Sequence, residues 1–269
     1  MGKIKEFHRF LDEAGDTAFY GKGRINIIGK QGVSNTFILG MVKFREPLDE
    51  VRKKVVELQN YITQDPFYKD IPSIEKKKND KGFFFHATDD IPEVREKFFK
   101  FIKNLDCSFE AIVARKIPEI FEKKHHSNDA EFYADLLSHL LKNKFGKERK
   151  LVLNIAKRQN STNNHNLNLA LQKAISRFSA KYPSKDIKTT IVFNVQNQMA
   201  EPLLNISDYF CWTVQRIFER GEVRYYNFLM DKVSLVIDLY DKSNYIGNKH
   251  YYNAKNPLTL QNKISPPIT

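Results

Sequence analysis

The residues best equipped for chemistry sit in F-L-D-E-A-G-D, residues 10–16, where an apolar run ends in Asp12, Glu13 and Asp16 around Gly15. Acidic side chains are depleted in strands, and clustered carboxylates repel one another. Asp and Gly are also ordinary turn residues, so a solvated turn is the plain reading of this stretch alone. A second acid changes the balance. In E-P-L-L-N-I-S-D-Y-F-C-W-T-V-Q-R-I-F-E-R-G, residues 201–221, the residues Leu203, Ile206, Phe210, Val214 and Ile217 recur as a helical core seam. Asp208 lies beside that seam, with Leu204 one turn before it and Cys211 and Trp212 one turn after. An ionised carboxylate among such neighbours is costly unless something compensates it. A capping box, with Asn205 as N-cap and Asp208 three residues on, is the competing reading. It leaves Pro202 and Leu203 outside the helix, although Pro202 suits a first turn and Gly221 a C-cap.

Two acids from distant segments, each at an apolar edge, suggest one shared site. Magnesium, or manganese in its place, is a hard cation that takes carboxylate oxygens and retains waters. A pair of such ions stabilises both the attacking and the leaving oxygen of a phosphodiester displacement. The expected catalytic set is Asp12, Glu13 and Asp208, with Asp12 and Asp208 as the Mg2+ or Mn2+ ligands. Lys157 and Arg158, just after the apolar run L-V-L-N-I-A, and His86 in F-F-F-H-A are the candidate substrate contacts. Each has a plainer alternative: solvated cations, and a hydrogen-bonded core histidine. His125 and His126 are adjacent and so point apart, which fits a surface loop. Glu131 and Asp135, four apart on one helix, read as a solvated face. The run G-K-G-R-I-N-I-I-G-K-Q-G has the wrong glycine spacing for a phosphate loop and places Gln31 where that motif needs Ser or Thr.

The rest of the chain bounds what surrounds these residues. Its 269 residues are 41% hydrophobic and 28% charged, which is globular composition. The net charge is +12 and the pI about 9.4, with basic clusters at 76–78 and 142–150 that attract polyanions. RNA or DNA is therefore the expected partner; a protein partner or a homo-oligomer stays open. No apolar run approaches the roughly 20 residues of a membrane span, and residues 1–6 lack the apolar stretch of a signal peptide. Cys107 and Cys211 have no metal-type spacing and read as buried free thiols of a reducing compartment. The expectation is a soluble cytoplasmic protein with no membrane association.

Periodicity supplies the elements that would position the acids. Strands are expected over 7–12, 35–44, 109–115, 151–156 and 189–195, and helices over 47–62, 92–105, 129–142, 166–178 and 202–220. Residues 15–34 read as a loop, 63–82 as a polar excursion, 225–239 as apolar and ambiguous. The sum is an α/β protein with a mixed five-stranded sheet and helices on both faces. One domain covers 1–245, with an insertion at about 45–106 between the second and third strands, and a loosely tethered tail follows at 246–269. That order of elements is the ribonuclease H-like arrangement.

Five stretches carry a family likeness: L-D-E-A-G-D, F-F-F-H-A, P-E-V-R-E-K-F-F, L-V-L-N-I-A-K-R, and E-P-L-L-N-I-S-D-Y with W-T-V-Q-R-I-F-E-R-G. Over residues 5–241 the chain resembles the bacterial family labelled domain of unknown function 3800, with Ala14 where that family usually has serine. The resemblance implies a ribonuclease H-like fold, Asp12 and Asp208 as the acidic site with Glu13 beside it, and a metal-dependent nuclease in a defence or mobile-element context. Two departures matter. Asn154 occupies the region where the ribonuclease H pattern has a third acid, and its carbonyl could coordinate a cation only without charge. Glu131 is the one candidate for the glutamate of the first core helix. These departures favour the second class of function, a ribonuclease H-like module that grips nucleic acid or protein and cuts weakly or not at all. A third class is a hydrolase of small phosphorylated metabolites.

Overall fold

A computed structural model describes residues 5–30, 32–80, 82–147, 149–158 and 162–264. Alternation sets the first strand, β1 (Glu6–Gly15): Phe10 and Ala14 enter a core on one side of the sheet and Leu11 a core on the other. Asp12 belongs to the first face and Glu13 to the second. Glu13 is thus a strand residue rather than part of a turn; the chain turns at Gly15, whose φ of 86° suits glycine.

The remaining elements are β2 (Thr36–Phe44), α1 (Leu48–Gln64), α2 (Pro72–Asp80), α3 (Pro92–Lys103), β3 (Cys107–Arg115), α4 (Pro118–His125), α5 (Asp129–Leu141), β4 (Arg149–Ala156), α6 (Asn164–Lys181), β5 (Thr189–Gln196), α7 (Leu203–Arg220), α8 (Arg224–Leu229), β6 (Val233–Asp238) and β7 (Tyr251–Tyr252). The strands form one mixed sheet in the order β5-β4-β1-β2-β3-β6-β7. β1, β3, β4, β5 and β6 run one way, and β2 and β7 oppose them.

Seven strands among the described residues replace the five expected. The extra pair comes from segments without a steady period. Residues 225–239 divide between the helical turns of α8 and strand β6, and two-residue β7 pairs back on β6. The tail is not loosely tethered as far as 264, because Tyr252, Leu258 and Ile264 are buried in the core. Residues 265–269 of that expected tail, and Gln31 of the 15–34 connection, lie outside the described residues. Within 63–82, α2 forms and buries Ile74, with Tyr68 buried just before it. Among the described residues no helix is long and apolar enough to cross a membrane.

Helix α7 organises the site because both of its sides are covered, which explains an apolar character wider than a single stripe. Towards the sheet, Ser207 Oγ donates to the Phe10 carbonyl at 2.7 Å and Cys211 Sγ to the Asp12 carbonyl at 3.3 Å. Gly40 of β2 permits this approach, since a Cβ there would stand 2.7 Å from Cys211 Sγ and 2.4 Å from the Phe109 ring. Away from the sheet, Tyr209 packs edge-on against Phe98 of α3 at 4.6 Å between centroids. A buried aromatic of this kind contributes about 2 kcal/mol. α7 ends at Gly221, φ 69°, whose N–H bonds the Ile217 carbonyl at 2.8 Å.

Candidate active site

The end of β1 and the first half of α7 meet at the floor of a cleft of about 1240 Å³. Asp12, Glu13, Asp208, His86, Lys157 and Arg158 all line it, so the six residues singled out from the sequence share one cavity. The cleft opens where β1 has β2 on one side and β4 on the other, the switch point at which α/β sheets bind ligands.

Asp12 is 6% exposed. Its Oδ1 accepts from the Glu13 N–H at 2.8 Å and its Oδ2 from Gln198 Nε2 at 2.6 Å. Burial, and then the charge of Asp208, push its carboxyl up to about 7 against the pull of those two donors. Asp208 is buried to the same degree and likewise pushed up to about 7, first by burial, although the Ala87 N–H donates to its Oδ2 at 2.7 Å. That bond rules out the capping box: α7 starts at Leu203, and Asn205 Oδ1 accepts from the Phe85 N–H and Gln59 instead of from its own helix. Asn205 Nδ2 donates to the Gln198 carbonyl at 3.0 Å and so fixes the residue that orients Asp12. Residues 83–86 are an extended loop, and His86 Nε2 stands 3.7 Å from Asp208 Oδ1 with its Nδ1 2.9 Å from Asp89.

Glu13 takes a different part. It points through to the α5 side of β1, where burial raises it to about 7 despite Arg158, whose Nη1 is 3.3 Å from Glu13 Oε2. The Tyr133 hydroxyl is buried beside Glu13 and interacts with its carboxylate, which raises the phenol and pulls Glu13 down. Arg158 also donates to the Gly15 carbonyl, so it is held by β1 while still 40% exposed at its side chain. Lys157 and Arg220 are exposed on the cleft wall and have no ion-pair partner among the described residues. Asp16, the third acid of the opening motif, is committed to structure: Lys116 Nζ lies 2.6 Å from it and Ser34 donates through its N–H and hydroxyl.

Three secondary candidates are placed differently from expectation. Asn154 is not part of the cleft lining; its side chain bonds Asn194, Gln196 and the Arg9 carbonyl, and Ala156 takes the cleft-facing position two residues on. His125 is no surface-loop residue but is 1% exposed, 3.0 Å from the Tyr240 hydroxyl, and burial lowers it to about 4. Asp135, read as solvated, is 2% exposed and held below the usual carboxylate range by Lys124, with Arg177 and Tyr240 also bonded to it. Glu131 pairs with Lys173 at 2.8 Å on the far side of the sheet.

Among the described residues no group of three or more His, Cys, Asp or Glu converges as a ready metal centre. Magnesium and its relatives are nevertheless commonly held by one or two carboxylates, with substrate oxygens and water completing the shell. Asp12 and Asp208 fit that role: both are buried and acceptor-rich, and both are raised first by burial and then by neighbouring carboxylates, Asp208 for Asp12 and Asp90 and Asp89 for Asp208, a penalty that a cation would offset. Comparison with protein-family models and with curated proteins gives no match to this chain.

Proposed function

We propose that the protein is a divalent-metal-dependent nuclease that hydrolyses phosphodiester bonds of RNA or DNA in the cytoplasm. The observation that carries this reading is the pairing of Asp12 and Asp208, two mutually repelling carboxylates from distant elements buried at the floor of a cleft rimmed by cations. The strand plan supports a ribonuclease H-like frame: β1, β2 and β3 form an antiparallel meander, and β4 and β5 add in parallel beyond β1. β6 and β7 would be additions at its edge. The motif likeness to the domain of unknown function 3800 family belongs to the same proposal.

In this reading Asp12 and Asp208 hold Mg2+ or Mn2+, which supplies an activated water and charge stabilisation at the phosphoryl oxygen. The chain's own residues do the rest. Gln198 and the Glu13 and Ala87 N–H groups orient the two carboxylates. Lys157 and Arg220 receive backbone phosphates, and Arg158, braced by Glu13 and Gly15, adds a third cation at fixed position. His86 stands close enough to Asp208 to exchange a proton with a substrate oxygen above it.

A non-cutting nucleic-acid module is the second reading, favoured by Ala156 and the fully bonded Asn154 where a third acid would stand. Labelled RNA, DNA and hybrid incubated with the full chain, with and without Mn2+, separate the two. Cleavage that needs Mn2+ and is lost in Asp12→Asn supports the nuclease; binding without cleavage supports the module. Binding in either case should fall with log salt at a slope near −5 if about six phosphates are neutralised. A flat salt response removes nucleic acid from both readings.

A further inference from the structure

The end of the central strands opposite the cleft concentrates more cations than acids. Arg9 of β1 is 8% exposed; among the described residues its side chain makes one hydrogen bond, from Nη1 to the neighbouring His8 carbonyl at 2.9 Å, and its Nε is buried without a partner. Glu110 offsets part of the cost of burying this guanidinium, while Arg149 adds to it. One step beyond the Phe10–Val42 pair, the antiparallel register sets Lys43 of β2 across from Arg9, on the same face of the sheet. Arg149 of β4 reaches that face over the Phe7 ring at 5.5 Å, and its Nε too is buried without a partner. Lys144 arrives from the connection after α5 and takes the nearby carboxylate, Glu110, at 2.5 Å. Arg45 is likewise matched by Asp106 at 2.6 Å. Among the described residues Arg9, Lys43 and Arg149 have no ion pair of their own; Glu110 acts on Arg9 but is itself bound to Lys144, so cations remain in excess. Burial first, and then Arg9, Arg45, Arg149 and Lys144, hold the Lys43 ammonium below its ordinary value, so the group is close enough for its members to repel.

We propose that Arg9, Lys43 and Arg149, with Lys144 at their border, form a second binding site, for a phosphate-class oxyanion. Two planar guanidiniums and an ammonium offer the forked donors and the charge that a tetrahedral oxyanion takes. The site stands four residues back along β1 from Glu13, roughly 13 Å, and towards the other end of the strands. It does not depend on whether the cleft cuts nucleic acid.

The test uses the full chain without divalent metal, melted in inorganic phosphate and in chloride of equal ionic strength. Phosphate raises the melting temperature of the wild type by linkage. Lys43→Gln and Arg149→Gln each weaken that phosphate affinity roughly tenfold or more, the range of a charge-assisted hydrogen bond. Without phosphate, Lys43→Gln melts no lower than wild type, because repulsion is relieved; a purely structural lysine would give the opposite shift. Lys157→Gln combined with Arg220→Gln, on the cleft wall, leaves intact the part of the protection by phosphate that Lys43→Gln removes. A labelled single-stranded oligonucleotide then identifies the source: weaker binding in Lys43→Gln assigns a polynucleotide backbone, and unchanged binding assigns a free phosphorylated molecule. Phosphate no more protective than chloride overturns the site. So does protection that survives in Lys43→Gln and Arg149→Gln but vanishes in the cleft double variant.

Discussion

Replacing Asp208 by Asn isolates the electrostatic claim on which the cleft reading stands. The side chain keeps its volume and still offers an oxygen to the Ala87 N–H, now 2.7 Å from Oδ2. What disappears is a buried negative charge beside Asp12. A carboxyl raised from 3.8 to about 7 carries a folding penalty of up to about 4 kcal/mol once both states are ionised. The weaker bond from Ala87 to a neutral acceptor returns about 1 kcal/mol of that, so the apo variant should be about 2–3 kcal/mol more stable at pH 8. The sign follows from proton counting. Between pH 4 and 7 the unfolded chain loses this proton while the folded chain keeps it, so wild-type stability falls as pH rises across that window. At pH 4.5 the folded carboxyl is neutral and the unfolded one has only just ionised, so the penalty has shrunk to about 1 kcal/mol and the variant and wild type should differ little. Urea denaturation in EDTA at pH 4.5 and 8 measures the difference directly, and added Mn2+ should stabilise wild type alone. A variant less stable than wild type at pH 8, or a difference that ignores pH, refutes the argument.

Other perturbations probe the frame around that pair. Glu219→Ala removes a carboxylate that accepts from the backbone and side chains of Asn35 and Thr36, so urea melts should show a loss of about 2–4 kcal/mol. Gly40→Ala forces a methyl against Phe109 and Cys211 and should cost about 1–3 kcal/mol; because α7 must shift, Mn2+-dependent cleavage should drop with it. Gln198→Glu places a third acid against Asp12, 2.6 Å from its present donor, and should destabilise the apo protein at pH 8. The added charged ligand should tighten Mn2+ binding by roughly tenfold in calorimetry.

The sequence exposed Asp12 and Asp208 because each is an acid in apolar company, a contradiction visible without coordinates. The strands β1 to β5 were legible for a related reason: each is short, apolar and bounded by polar or turn residues. Gln198 carried no such mark. It sits in N-V-Q-N-Q-M-A, one amide among several, and only Asn205 holding its carbonyl makes it the residue that faces Asp12. Asp135 was misread for the converse reason. Its spacing from Glu131 looks like an exposed helical stripe, while its partners Lys124, Arg177 and Tyr240 come from three other segments. β6 escaped because its neighbour α8 changes the period within 15 residues, and β7 because two residues have no period at all.

What the sequence could state about the third acid, the structure sharpens. Asn154 is on the Asp12 face, but both ends of its amide are already spent on Asn194, Gln196 and Arg9. It cannot turn a carbonyl to the cleft without giving up its bonds from Asn194 and Gln196 of β5, a loss of about 0.5–1.5 kcal/mol for each. Any cation in the cleft therefore relies on Asp12 and Asp208 for its protein charge. Those two carboxylates contribute −2 between them, enough for one divalent ion and not for two. Cleavage by this chain should accordingly saturate with a single metal per protein, measured as a Hill coefficient near 1 in a Mn2+ titration. A coefficient near 2 would require a third acidic ligand, and Glu13, turned to the α5 side and bound to Arg158, would have to leave its partner to supply it.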